Sequence, residues 1–196
     1  MIAAYTKAVR LILAIAALAA IAASSSAQIA WDAADRDVRR LPPVAFKQLP
    51  NNLVADLQRR GCTIPQVPTE VSMSKGRANV IRGEFQKPGQ TDWAVLCSVG
   101  RVASILIYWN GSEIKPAEIA KMNDIDGLQG WTGGKAVYSR LIEPVGKRYI
   151  MEHYQAYGGP KPPPINHQGI NDVFVGKASV VMYWYGGKWL QLSGAD

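Results

Sequence analysis

The 196-residue sequence is poor in the side chains that most often carry catalysis or bind metals. It has two histidines, His153 and His167, and two cysteines, Cys62 and Cys97. It contains neither the Gly-x-Ser-x-Gly nucleophile elbow nor the His-Glu-x-x-His zinc pattern, which argues against the hydrolase classes that depend on these motifs. We therefore predict no metal site and no cofactor, and we favour a non-catalytic protein.

A long apolar run is missing everywhere except near the N terminus. Residues 11–23 are apolar and uncharged, Lys7 and Arg10 precede them, and the small residues Ser25 and Ala27 follow. A membrane-spanning helix needs about 20 apolar residues, which is more than this run supplies. The order of basic, apolar and small residues is typical of a cleavable secretory signal.

The sequence thus predicts three parts: a signal peptide over residues 1–27, an irregular lead-in over residues 28–50 and a single globular, β-rich domain over residues 51–196. The mature form is expected to be periplasmic or secreted, with no transmembrane anchor. Loss of two basic residues with the signal lowers the formal net charge from +7 to +5. An excess of this size favours solubility or attraction to anionic surfaces.

Basic residues do not form a long run. They are scattered apart from Arg36, Arg39 and Arg40, so the sequence has no basic arm of the kind that binds nucleic acid. We predict no nucleic-acid partner.

The cysteine count is even, which in an exported chain predicts one disulfide between Cys62 and Cys97. Such a bond removes both thiols as nucleophiles. In the chain-entropy estimate, closing a loop of this length stabilises the fold by roughly 3 to 4 kcal/mol.

The middle and the end of the chain are rich in β-forming residues. Residues 78–86, 91–99 and 102–109 are separated by turn signals, which predicts an antiparallel meander. The chain is expected to close with a hairpin of residues 178–185 and 188–192 around Gly-Gly. The predicted fold class is α+β: a mainly antiparallel β-sheet, made of the meander and the C-terminal hairpin, with a short N-terminal helix and long loops.

The helix is predicted over residues 52–60, between an asparagine cap and a terminating glycine. Three further segments are assigned with it: a short helix over residues 116–122, a loop over residues 123–135 and a strand over residues 147–154.

One short segment resembles the repeat of FG-GAP proteins. Gly83-Glu84-Phe85, Gly89 and Asp92-Trp93-Ala94-Val95 follow that repeat, and the resemblance implies one blade of a calcium-loaded propeller. The segment occurs once, and Gln86-Lys87-Pro88 stands where the family has an acidic loop. Calcium is therefore not predicted here. Residues 122–127 half-match a second kind of calcium loop, but Met122 occupies the first ligand position, so a turn is predicted.

A broader resemblance spans most of the mature chain. The segments RGCTIPQ (60–66), DWAVLCS (92–98), GKAS (176–179) and the terminal GAD (194–196) are similar to a group of uncharacterised exported bacterial proteins. This resemblance implies export and a shared fold, and it implies no activity.

The loop before the last hairpin is the candidate site. Its prolines make it stiff and extended, and we predict ligand binding by Tyr157, Asn166, His167 and Asp172. A strap that covers a sheet edge is the alternative role of this loop. A binding role predicts that alanine at His167 and Asp172 leaves stability nearly unchanged.

Two functions are compatible with these observations. The favoured one is a non-catalytic binding or interaction module, whose partner is an envelope polymer or another exported protein. The alternative is a small hydrolase of envelope polymers that uses His153, His167 and Asp172. Aromatic residues crowd the strand 178–185, and one of its two faces is available either for binding or for further packing.

Overall fold

The structure is a computed structural model that describes residues 30–72 and 76–195. The predicted signal peptide, residues 1–27, lies outside the described residues. No helix within the described ranges is long and apolar enough to cross a membrane.

Short helices flank the sheets. The two longest helices each turn an apolar face toward a sheet. In the helix of residues 51–59, Leu53 and Leu57 lie one turn apart and are fully buried. Gly61, with φ of +71°, lies just past the end of their helix. The α-helices of the described residues are α1 (30–37), α2 (Asn51–Arg59), α3 (Thr69–Ser72) and α4 (Lys147–Tyr157).

Twelve strands in the described residues form two four-stranded antiparallel sheets and two small pairs. Sheet I has the order β3-β4-β5-β6, sheet II has the order β9-β10-β11-β12, and β1 pairs with β2 and β7 with β8. The strands are β1 (Arg40–Leu41), β2 (Ile64–Pro65), β3 (Val80–Gly83), β4 (Asp92–Val99), β5 (Val102–Tyr108), β6 (Ala117–Asn123), β7 (Leu128–Gly130), β8 (Ala136–Tyr138), β9 (Arg140–Val145), β10 (Gly169–Phe174), β11 (Ala178–Tyr185) and β12 (Lys188–Ser193).

These elements confirm the predicted α+β class with mainly antiparallel sheets. The predicted meander is present as β3, β4 and β5, with Leu96 opposite Ile105 in the register. The predicted C-terminal hairpin is β11 and β12, with Trp184 opposite Trp189.

The core is layered because strand residues alternate between faces. Ala94 and Leu96 pack into a cluster shared by both sheets, whereas Val95 and Cys97 pack with α2 on the outer face of sheet I. The outer face of sheet II packs against α4 in the same way, and Ile150 of α4 lies in a cluster with Val181 and Tyr183 of β11. The layers are therefore α2, sheet I, sheet II and α4.

The two sheets repeat a sequence as well as a shape. Residues 103–111 (ASILIYWNG) and 178–186 (ASVVMYWYG) cover the third strand of their respective sheets. In each copy the tyrosine, Tyr108 or Tyr183, is fully buried on the helix-covered face. Each half of the domain is thus one meander of four strands with a helix on its outer face.

Residues 116–122 were expected to form a helix, and this prediction is wrong. All of them except Pro116 lie in strand β6, with Ile119 opposite Ile105 on β5. Helix-favouring residue types are overridden here because β5 would otherwise leave a row of backbone groups unpaired. Ala120 has φ of +52° where the register shifts at a β-bulge.

Residues 147–154 were expected to form a strand, and this prediction is also wrong. They belong to helix α4, on which the rings of Tyr149 and His153 stack 3.8 Å apart and His153 meets Tyr157 at 5.8 Å. A spacing of four between aromatic residues is typical of a helix face. The β-propensity of tyrosine and isoleucine obscured it.

The parts predicted as loops contain some regular structure. Within residues 123–135 the chain forms two 3-10 turns, Asp124–Gly127 and Thr132–Gly134, and strand β7. Strand β10 already begins at Gly169. Residues 30–50 of the lead-in include α1, and their Phe46 and Leu49 are buried beside α2. The core therefore takes in side chains from before residue 51.

The predicted disulfide is present. Cys62 follows α2 and Cys97 lies on β4, with their Cα atoms 5.4 Å apart. The bond thus ties the end of the helix to the middle of sheet I.

Candidate functional site

Three separate segments meet around a small surface cleft, here called the aromatic cleft. The turn after β3, the end of the proline-rich loop and the end of β11 all contribute to it. The cleft has a volume of about 180 Å³. Its lining residues are Gln86, Lys87, Pro88, Asn166, His167, Trp184, Tyr185 and Gly186.

A buried carboxylate organises the turn that forms the first wall. Asp92 Oδ2 accepts hydrogen bonds from the backbone N–H groups of Phe85 and Gln86, both at 2.9 Å. Asp92 Oδ1 accepts from Gln90 Nε2 at 2.6 Å and from the N–H of Asn110 at 2.8 Å. The FG-GAP-like turn is thus held by four donors of the protein itself.

His167 holds the second wall by contacts with backbone. Its ring stacks on Tyr183, with centroids 4.4 Å apart and planes 6° from parallel. Its Nε2 lies 3.0 Å from the carbonyl oxygen of Trp184, and its Nδ1 lies 2.9 Å from that of Gln168. These contacts join the loop to β11 and leave the neighbouring Asn166 side chain exposed.

Tryptophans from both sheets pack behind the third wall. The ring centroids of Trp109 and Trp184 lie 5.2 Å apart, and Trp189 lies 5.8 Å from Trp109 and 5.7 Å from Trp184. All three side chains are half-buried. Trp109 and Trp184 occupy equivalent positions of the repeated sequence, so the repeat brings its two tryptophans together. Tyr185, next in the chain, is 44% exposed.

Of the described residues, one lysine, Lys87, and no acidic residue line the cleft, and a second lysine, Lys188, lies outside the lining. Lys87 lies on the first wall, and Lys188 lies directly across the hairpin from Tyr185. Neither ammonium group forms an ion pair within residues 30–72 and 76–195. The exposed rim of the cleft therefore has two lysines without an ion pair in the described part of the chain, while the Asp92 carboxylate lies buried beneath the turn of the first wall.

Two of the four predicted ligand-binding residues, Asn166 and His167, lie in the cleft. Tyr157 does not line it; this residue ends α4 and is 50% exposed. Asp172 does not line it either, because it lies within β10 and pairs with Arg140. The Nε and Nη2 atoms of Arg140 donate to the two carboxylate oxygens at 2.9 and 2.8 Å.

A second polar cluster lies between α1 and sheet I, and sequence reasoning did not find it. Arg40 donates to Asp35 and Asp124 at 2.6 and 2.8 Å, and Arg101 binds the other oxygen of Asp35 at 2.8 Å. Ser98 Oγ donates to Asp124 at 2.6 Å. Burial opposes the charge on Arg40, but the hydrogen bonds to both carboxylates outweigh it and raise its pKa.

The segment that half-matches a calcium loop contributes Asp124 to this cluster. Asp124 points its carboxylate to an arginine and a serine, in a 3-10 turn over Asp124–Gly127. In the described ranges no group of three or more His, Cys, Asp or Glu side chains is placed to hold a metal ion.

Trp109 was not singled out from the sequence, although a signal was present. The Ala-Ser-x-x-x-Tyr-Trp-x-Gly pattern around Trp109 recurs around Trp184, and matching positions in repeated units are candidates to meet.

No family model, no curated protein and no solved structure matches the chain.

Proposed function

We propose that the mature chain is an exported, non-catalytic module that binds an envelope polymer or another exported protein at the aromatic cleft. The observation that carries this proposal is the convergence of exposed aromatic, amide and basic side chains on one cleft that no acidic residue lines. Aromatic rings supply a large contact area at low entropic cost, which suits recognition.

The alternative hydrolase is less well supported because its three acid-base residues serve elsewhere. His153 stacks between two tyrosines on α4, and His167 contacts two backbone carbonyls. The Asp172 carboxylate is taken up by Arg140. General acid-base catalysis needs such groups within hydrogen-bond reach of each other or of a substrate.

Two features support export. The order of basic, apolar and small residues before Gln28 is that of a signal peptide. The Cys62–Cys97 disulfide is compatible with an oxidising compartment. We therefore place the binding function in the periplasm or outside the cell.

Sedimentation with purified cell envelope tests this function. The oxidised protein of residues 28–196 is mixed with insoluble envelope polymer, and the bound fraction and the released reducing ends are measured together. We expect saturable binding without release of product. Product release that is lost in the variant His153→Ala, with its fold intact by circular dichroism, would establish the hydrolase instead.

A further inference from the structure

We propose that the aromatic cleft binds one acidic sugar unit of an anionic polysaccharide. This inference rests on the proposed binding function and names the chemistry of its ligand. It follows from the size of the cleft, its aromatic wall, its charge and its rigidity.

The size of the cleft indicates a small unit of a longer ligand. Sites that enclose a whole drug-sized molecule have volumes of about 300 to 1,000 Å³, whereas the aromatic cleft has about 180 Å³. A cleft of this size, open at the surface, accommodates one ring at a time. It suits a polymer whose next units continue outside the cleft.

The aromatic wall offers a ring face rather than a deep apolar pocket. Tyr185 is 44% exposed, and Trp184 beside it is backed by Trp109 and Trp189. A sugar ring has an apolar face of C–H groups that can lie against an aromatic ring, and its hydroxyl groups stay in water. Tyr185 is the ring open to a ligand, and the three packed tryptophans hold the strand end that carries it.

The charge of the cleft selects an acidic unit. Lys87 and Lys188 flank the exposed Tyr185, with no ion-pair partner in the described residues. A carboxylate on the sugar ring would therefore meet two ammonium groups that form no ion pair with the described part of the protein, which favours association and makes it sensitive to salt.

Amide groups and a stiff backbone complete the site. Asn166 is exposed on one wall, and Gln86 lies on the other with its Oε1 fixed by Gln90 Nε2 at 2.8 Å. Side-chain amides both donate and accept, as sugar hydroxyl groups do. Proline residues stiffen both walls, at Pro88 and in the loop before Asn166.

Calorimetry with a charged polymer and its neutral counterpart tests the proposal. The probes are polygalacturonate, which carries one carboxylate per sugar, and the same polymer fully methyl-esterified. We expect the oxidised protein of residues 28–196 to bind the charged polymer more tightly, with an affinity that falls as salt is raised.

Matched variants locate the site. Tyr185→Ala is compared with Tyr157→Ala, which removes a similarly exposed ring outside the cleft, and Lys87→Gln is compared with the exposed Lys161→Gln. We expect Tyr185→Ala to weaken binding about 2- to 10-fold. Lys87→Gln should weaken it about 2- to 5-fold and reduce its salt dependence. The two control variants should bind as the unmodified protein does.

Three outcomes overturn the proposal. Equal affinity for the charged and the esterified polymer shows that charge is not read. A loss of binding with Tyr157→Ala but not with Tyr185→Ala places the site elsewhere. Equal affinity for the two polymers leaves the proposed function standing, because a polymer is still bound. A site elsewhere keeps the binding function but overturns its placement at the aromatic cleft. Absence of binding to either polymer overturns the sugar assignment, and the envelope sedimentation then decides the function by itself.

Discussion

Two buried tyrosines differ in what their hydroxyl groups contact. The Tyr108 hydroxyl donates to Asp56 Oδ2 at 2.9 Å, below helix α2. The Tyr138 hydroxyl is buried without a hydrogen-bond partner among the residues that the structure describes. Burial raises the pKa of both, and for Tyr108 the hydrogen bond to Asp56 adds to the effect. The two residues therefore make a natural pair of mutations.

We expect Tyr108→Phe to lower the free energy of unfolding by about 1.5 to 3 kcal/mol, because a hydrogen bond to a charged group is lost. Tyr138→Phe should change it by less than about 0.5 kcal/mol or raise it, since the hydroxyl it removes is buried without a partner. Urea denaturation of both variants measures the difference. Equal losses in the two variants would contradict a stabilising hydrogen bond from Tyr108 to Asp56.

Asp172 has a structural partner, which changes the outcome expected from the sequence. Its carboxylate forms two hydrogen bonds with Arg140, a fully buried residue. Asp172→Ala should therefore destabilise the fold by about 3 to 5 kcal/mol, because it leaves a buried cation unpaired. The double variant Arg140→Met with Asp172→Leu should recover much of that loss. Thermal melts of both proteins check this, and a stable Asp172→Ala single variant would show that the pair matters little.

At the scale of elements, the sequence predicted best where local signals and tertiary contacts agree. Strand β4 is rich in β-forming residues that pack on both of its faces, and turn residues stand at its ends. Its bounds were therefore predicted within a residue or two. Strand β6 could not be predicted, because its residue types favour a helix and only the open edge of β5 makes it a strand. Helix α4 was missed despite the i, i+4 spacing of Tyr149 and His153.

Asn79 joins the two sheets at their adjoining edges. Its side-chain NH₂ donates to the carbonyl oxygens of Pro65 and Arg140, at 2.7 and 3.2 Å, and its Oδ1 accepts from the N–H of Ile142 at 3.0 Å. Asn79 is buried and has φ of +73°, a conformation that asparagine tolerates better than most residues. One side chain therefore supplies two hydrogen bonds to β9 and a third to β2.

We expect Asn79→Ala to cost about 3 kcal/mol or more. Buried backbone groups lose their partner, and alanine is strained at positive φ. Asn110→Ala is the matched control, because Asn110 also has positive φ (51°) but its side chain is exposed. That variant should lose only about 1 to 2 kcal/mol. Denaturant melts compare the two, and equal losses would mean that backbone strain, rather than the hydrogen bonds, explains the effect.

At the scale of the whole molecule, the cleft is a product of how the two halves meet. The sequence predicted Asn166 and His167 as a site and noted the aromatic hairpin, but it contained no direct signal that the turn at Gln86–Pro88 lies beside them. Those segments are about 80 residues apart in the chain and meet where Gln168 and Glu84 form hydrogen bonds with each other across the sheets. Contacts of this kind follow from packing, which residue patterns along one chain do not encode.

The disulfide makes the stability of the fold depend on redox conditions. Cys62 and Cys97 are both buried and are separated by 35 residues. Reducing the bond increases the conformational entropy of the unfolded chain, which lowers the free energy of unfolding by about 3 kcal/mol or more. For a domain of this size, 1 kcal/mol corresponds to roughly 2 to 4 °C in melting temperature. We expect the double variant Cys62→Ala, Cys97→Ala to melt roughly 6 to 12 °C below the oxidised protein. The unmodified residues 28–196, made in a reducing cytoplasm, should melt close to that variant until they are oxidised. A melting temperature that is the same with and without the disulfide would show that the fold does not depend on an oxidising compartment.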